Sequence, residues 1–235
     1  MPLTPKKRKG LEFLDLPPDV CSREELEESL ADIRVVNRYL GNRRALLKHL
    51  SAKIAGGGAL DVLDVGTASA DLPMAVVDWA RSRGIQVDIT AVDTNDRCIE
   101  LARAQTAGYP EIKLKVADGL NLPFPDGSFD YVLCSKTLHH MNEQDAVRMI
   151  GEMLRVARRG YIIMDLRRSW IAYALVRILT TVFGRNRITR YDGPLSVLKA
   201  FTAAELAALA SAAGAGSFAI SREPFWLLVL SGEAG

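Results

Sequence analysis

Ala59-Leu60-Asp61-Val62-Leu63-Asp64-Val65-Gly66-Thr67-Ala68-Ser69-Ala70-Asp71 is the stretch on which the fold turns. A near-continuous apolar run, broken only by Asp61 and Asp64, ends at a glycine and passes into a helical pattern over 71–82. A short buried strand, a tight turn and a helix in that order open a parallel α/β unit. Gly66 lets the chain leave the strand sharply, and the amides of the following turn and helix start are free to face an anionic or polar group.

The same alternation continues outward. Apolar runs at 87–92, 112–116, 131–134 and 161–164 are separated by helical patterns at 97–105 and 143–156. Crossovers between parallel strands are right-handed, so an open, doubly wound α/β sheet follows. Thr202 and Glu205 have the spacing of a capping box for a helix over 202–213, and two closing strands are expected at 218–221 and 225–230, giving a mostly parallel sheet of seven. Upstream, Ser22 and Glu25 repeat the capping box, and Leu26, Leu30, Ile33, Val36 and Leu40 recur at helical spacing. A second helix over 43–54 is expected to stop at Gly56-Gly57-Gly58. Residues 1–58 therefore read as a basic tail, expected to be solvated and disordered, plus a helical extension. Residues 59–235 read as the main domain, with a lid inserted at about 169–200.

Bulk properties narrow the function. The 235 residues carry a net charge of +2, too little for a dedicated nucleic-acid binder. Cys21, Cys98 and Cys134 are widely spaced and odd in number, which fits neither a disulfide framework nor a metal site and suits a reducing compartment. The N-terminus has no apolar signal core, and no run approaches the roughly 20 apolar residues of a membrane span. A cytoplasmic protein, monomeric or homodimeric, with a small-molecule substrate is expected.

Two further features fall at the carboxyl ends of strands, the edge where open α/β sheets bind ligands. Asp93 ends the second strand, where a carboxylate can accept from a ribose diol. Asp118-Gly119 comes after the third, where a carboxylate can accept from an adenine amino group. Singly, each residue also suits a tight turn or a cap. In order along one edge, they point to a nucleoside.

Val62-Leu63-Asp64-Val65-Gly66, Ala91-Val92-Asp93, Val116-Ala117-Asp118 and Phe129-Asp130-Tyr131-Val132 resemble the successive motifs of class I S-adenosylmethionine-dependent methyltransferases. The segment 121–130, Asn-Leu-Pro-Phe-Pro-Asp-Gly-Ser-Phe-Asp, is similar to the family's stretch before strand four. Ser135-Lys136-Thr137-Leu138-His139-His140 resembles the stretch after strand four in the subgroup of ubiquinone and menaquinone biosynthesis methyltransferases. The resemblance implies S-adenosylmethionine as cofactor. It places Asp64, Gly66, Thr67 and Ala68 at the methionine moiety, Asp93 at the ribose and Thr94 against the adenine. Asp118 and Gly119 would meet the adenine amino group, and Ser135 would lie near the sulfonium. The family's Gly-x-Gly-x-Gly reads Gly66-Thr67-Ala68-Ser69-Ala70 here, which matters only if the backbone needs a positive φ at the alanines or touches the cofactor. A dinucleotide fingerprint fits less well, because it requires Gly-x-Gly-x-x-Gly.

Methyl transfer asks the protein mainly to position the acceptor and exclude water, with a base where a hydroxyl is methylated. His139 and His140, just past strand four, are the candidates for that base. Asp165 and Arg167 end strand five and reach the same rim. The apolar stretch 169–183 reads as a lid over a lipophilic or aromatic acceptor, with Trp170, Tyr173 and Tyr191 as candidate contacts. A packing helix and, because Arg185, Arg187 and Arg190 come next, a peripheral membrane contact are the other readings. Arg34, Asn37 and Tyr39 on the first helix are candidates from the opposite side, and His49 is expected at the surface. The expected reaction is O-methylation of a small, hydroxylated aromatic molecule, with C-methylation of a quinone-like ring second. A non-catalytic binding module, motivated by Ala68 and Ala70, is third.

Overall fold

The computed structural model describes residues 4–16, 20–54 and 59–234. Seven strands form one sheet in the order β3-β2-β1-β4-β5-β7-β6. They are β1 (Leu60–Val65), β2 (Val87–Asp93), β3 (Ile112–Val116), β4 (Phe129–Ser135), β5 (Ala157–Leu166), β6 (Phe218–Glu223) and β7 (Leu227–Glu233). The first five are parallel; β7 runs antiparallel to both β5 and β6. Strand order reverses between β1 and β4, so the crevice of the sheet opens above Val65 and Ser135.

Helices α3 (Asp71–Arg81), α4 (Asp96–Gln105), α5 (Glu143–Val156) and α8 (Ala203–Ala212) follow the alternation expected from the sequence. Two cores result. On one face α5 and α8 pack Met149, Ile150, Met153, Leu206 and Leu209 against Val132, Cys134 and Ile163. On the other, Leu46 and Leu50 of α2 (Asn42–Lys53) and Val76, Val77 and Trp79 of α3 cover Val62, Ile89 and Leu133. Burying a Leu or Ile side chain stabilises by about 1.5–3 kcal/mol, so β1 and β4, lined on both faces, anchor the sheet. Both expected capping boxes form, Ser22 with Glu25 at α1 (Arg23–Tyr39) and Thr202 with Glu205 at α8. The Gly56–Gly58 stop lies outside the described residues.

Two expectations fail. The basic tail is not free from residue 4 onward: Pro5 is buried, and its carbonyl accepts from Arg168 Nε at 2.9 Å. Lys7 Nζ sits 3.2 Å from the centroid of the Phe201 ring, a cation–π contact that fixes the segment. Residues 187–199 also form a helix, α7, even though Gly193 and Pro194 lie within it. Packing overrides propensity here: a Cβ on Gly193 would come 2.8 Å from Thr180 Cγ2, so the glycine lets α7 lie close against α6 (Trp170–Phe183). The second failure is His49, which is half-buried, with Nε2 2.8 Å from Glu223 Oε1.

Candidate active site

A cavity of about 470 Å³ opens at the β1/β4 reversal. Asp64, Gly66, Thr67, Ala68, Asp93, Thr94, Asp118, Gly119, Ser135, His139 and His140 all line it. The backbone explains how. Gly66, Ala68 and Ala70 have φ of 75°, 49° and 56°. The left-handed conformation thus alternates along the turn, with alanine at the two positions where the resembled family has glycine. Each alanine there costs about 1–2 kcal/mol. A Cβ at Gly66 itself would collide with the Thr137 side chain.

Asp93 closes the turn. Its Oδ2 accepts from Ala68 N at 2.8 Å and its Oδ1 from Asn95 N at 2.9 Å, which leaves a lone pair on each oxygen for a diol. Burial pushes its carboxyl up from the ordinary range, against the pull of those amides. Asp64 is also buried, and burial, with Asp71 and Asp93 nearby, raises it to about 7. Asp118 Oδ1 accepts from Leu120 N at 2.9 Å.

Lys136 is the residue that motif reading passed over. Among the described residues it is the sole lysine or arginine lining the cavity, against eight acidic side chains. It holds a φ of 55°, and its Nζ donates to Asn37 Oδ1 at 2.6 Å. Asn37 Nδ2 in turn donates to both oxygens of Asp71, at 3.0 and 3.2 Å. Burial lowers the ammonium to about 8. The strained backbone and the single cation were signals in the fold, not in the spacing of the sequence. Of the three polar candidates on α1, Asn37 reaches the cavity, whereas Arg34 and Tyr39 do not line it.

Two histidines of the lining meet a polar cluster. Asp165 Oδ1 is 2.7 Å from His139 Nδ1, and its Oδ2 accepts from His139 N at 2.9 Å. Burial works against the Asp165 charge, but His139 and nearby amides hold the carboxyl below its usual value. His139 Nε2 is buried with no hydrogen-bond partner among the described residues and faces Glu12 Oε1 at 3.7 Å. His140 Nδ1 lies 2.6 Å from Asp15 Oδ1. Burial opposes the His140 charge, but Asp15 and Glu12 raise its pKa overall. Glu12 and Asp15 belong to a strap, a one-turn 3-10 helix at Phe13–Asp15 and its neighbours, held by Asp192. Asp192 accepts from Phe13 N at 2.8 Å and Leu14 N at 3.3 Å. Ser196 Oγ donates to Glu12 Oε2 at 2.7 Å. Glu12, His139 and His140 present ligand-capable atoms within 4.8 Å of one another. Lys199 Nζ, 3.1 Å from Glu12 Oε1, already supplies a cation there, so the group reads as an ionic cluster.

The expected substrate contacts need correcting. Trp170 and Tyr191 are exposed, Tyr191 packing edge-on to Phe13, and Tyr173 bonds to Arg177. Arg167 donates its amide to the Trp226 carbonyl. None of these four lines the cavity, and Asp165 reaches it through His139. The face of α6 toward the cavity presents Val176, Leu179 and Thr180 instead, opposite Ile33 and Val36 of α1. A helix shows only one stripe to a cavity, and the periodicity of so apolar a segment does not say which.

The cavity suits an adenosyl sulfonium. Thr67 Oγ1 and Ser135 Oγ are buried without partners among the described residues beside the turn, and an acidic lining attracts a cation and repels a pyrophosphate. Comparisons with known proteins agree. Residues 62–160 match the family described as a methyltransferase domain. A demethylmenaquinone methyltransferase of Staphylococcus epidermidis is 31% identical over 122 residues, 52% of this chain and 48% of that protein. The chain thus spans about half the length of the curated relatives it matches. A methyltransferase structure from Aquifex aeolicus superposes with a TM-score of 0.65 at 16% identity, over 92% of this chain and 100% of that one. Magnesium protoporphyrin IX methyltransferase from Synechocystis, solved with S-adenosylhomocysteine, gives 0.57 at 14% identity, over 97% and 90%. Residues 62–160 thus carry the methyltransferase-domain match, and the fold around them is the one seen in these solved methyltransferases.

Proposed function

We propose that the protein transfers a methyl group from S-adenosylmethionine to a small, lipophilic, hydroxylated aromatic acceptor, with oxygen as the methylated atom. The observation that carries this reading is one continuous cavity. Its lining brings together the nucleoside-type strand ends, apolar walls from α1 and α6, and His139, which is paired with Asp165.

When bound, the cofactor supplies an electrophilic methyl group on a sulfonium. Asp93 binds the ribose hydroxyls and Asp118 faces the adenine. Lys136 holds the methionyl carboxylate, the one anionic group of the cofactor, against an otherwise acidic wall. Asp165 keeps the proton of His139 on Nδ1, so Nε2 offers its lone pair to the acceptor hydroxyl. Ile33, Val36, Val176 and Leu179 enclose the ring and exclude water. A second reading, C-methylation of a quinone-like ring, draws on the relatives named as demethylmenaquinone methyltransferases. There His139 accepts a ring proton instead.

Calorimetry tests the cofactor end. S-adenosylhomocysteine is expected to bind, and silence from the wild type at millimolar ligand would end the cofactor reading. Lys136→Met is expected to weaken S-adenosylhomocysteine roughly 10–100-fold while sparing 5′-methylthioadenosine, which lacks the amino-acid portion. Equal loss for both ligands removes Lys136 from the carboxylate. The ammonium, lowered to about 8, is charged below that pH and neutral above it. Affinity for S-adenosylhomocysteine is thus expected to fall as the pH rises past 8.

A further inference from the structure

The sequence from 166 to 191 contains six arginines and no acidic residue. Helix α6 lies within it, and of its fourteen residues Ala172 alone is buried. Ile171, Leu175, Ile178 and Val182 recur at spacings of four, three and four, a single outward stripe. Ile178, Val182 and Phe183 are 59%, 64% and 72% exposed. An apolar stripe of this size on a surface helix marks an interaction site.

Charge says what covers it. Arg168, Arg185 and Arg187 are paired with Glu205, Asp32 and Glu25. Arg177 and Arg190 are exposed. They bond to the Tyr173 hydroxyl and the Gly184 carbonyl, and neither has an acidic partner among the described residues. Apolar side chains flanked by unneutralised guanidinium groups complement a surface with an acyl interior and anionic headgroups. At about 21 Å for fourteen residues, α6 is too short to cross a bilayer and long enough to lie in its interface. Trp170 and Tyr173, edge to face with centroids 5.9 Å apart at the start of the helix, are amphipathic rings of the kind that settle at headgroup depth. The opposite side of α6, at Val176, Leu179 and Thr180, lines the cavity. One helix therefore separates the cavity from the outward stripe.

We infer that the outer face of α6 docks on an anionic lipid bilayer, with Ile171, Leu175, Ile178, Val182 and Phe183 entering the acyl boundary and Arg177 and Arg190 meeting the headgroups. Docking needs neither cofactor nor turnover, so it stands apart from the proposed reaction. Flotation of the full chain with vesicles of phosphatidylcholine, alone or mixed with phosphatidylglycerol, tests it. The wild type is expected to float with the mixed vesicles at least ~10-fold more tightly than with phosphatidylcholine alone, and more weakly at high salt. Ile178→Ser/Val182→Ser/Phe183→Ser is expected to lose at least ~10-fold in binding with an unchanged thermal unfolding curve. Should that variant unfold, Ile171→Ser carries the same expectation on a smaller scale. A wild type that does not float, or floats equally with both vesicles, overturns the inference. So does a wild-type dimer that the triple variant splits into monomers while vesicles bind neither, because a second copy would then cover the stripe.

Discussion

The two ends of the cavity are built in opposite ways. At the cofactor end Gly66, Asp93, Asp118 and Ser135 each lie within a few residues of a strand terminus, and the turn after β1 is closed by Asp93, 25 positions away. At the acceptor end Asp192 anchors Phe13 across 179 positions, and Ser196 reaches Glu12 across 184. One end is a property of the sheet edge. The other exists only once the beginning of the chain has been laid against α7. Function at the first end is local and motif-bound; at the second it depends on long-range assembly.

The largest expected effect separates the ends chemically. His139→Ala is expected to lower turnover about 10²–10⁴-fold while leaving the dissociation constant of S-adenosylhomocysteine unchanged. Asp93→Ala is expected to do the reverse, weakening that constant by about 1.5–3 kcal/mol. Steady-state kinetics beside calorimetry reads both, and a variant that moves both quantities together would mean that the two ends are not independent. Asp192→Ala removes the acceptor of two strap amides and is expected to raise KM for the acceptor several-fold, with cofactor affinity intact. An unchanged KM would show that the strap does not shape the acceptor end. The smallest effect lies in the turn. Ala68→Gly and Ala70→Gly each relieve a left-handed alanine but add unfolded-chain freedom, for a net gain of about 0.5–1 kcal/mol. That corresponds to a rise of roughly 1–4 °C in thermal midpoint. A fall would mean that the alanine methyl groups pack productively.

This asymmetry decides how much of the molecule is legible in its sequence. The sheet, its order of elements and the cofactor end follow from apolar runs and from polar residues at fixed offsets from strand ends. Each of those signals sits within one supersecondary unit. Glu12, Asp15, Asp192 and Ser196 carry no such offset, and nothing near Glu12 announces that it will be buried beside His139. Helix α7 is obscured for a related reason. Gly193 and Pro194 are poor helix residues taken singly, and the value of the glycine lies in its close approach to Thr180 of another helix. Lys136 stands in plain view within the motif, but its importance comes from the eight carboxylates around the cavity, a count that no single segment reveals.

Those carboxylates also bear on how the proposed reaction would end. The donor enters with a positively charged sulfur and leaves as a neutral thioether. The attraction between an acidic wall and its guest therefore drops by one charge at the moment of transfer. A lining arranged in this way discriminates fresh from spent cofactor without any contact to the methyl group, and it favours product departure over product inhibition.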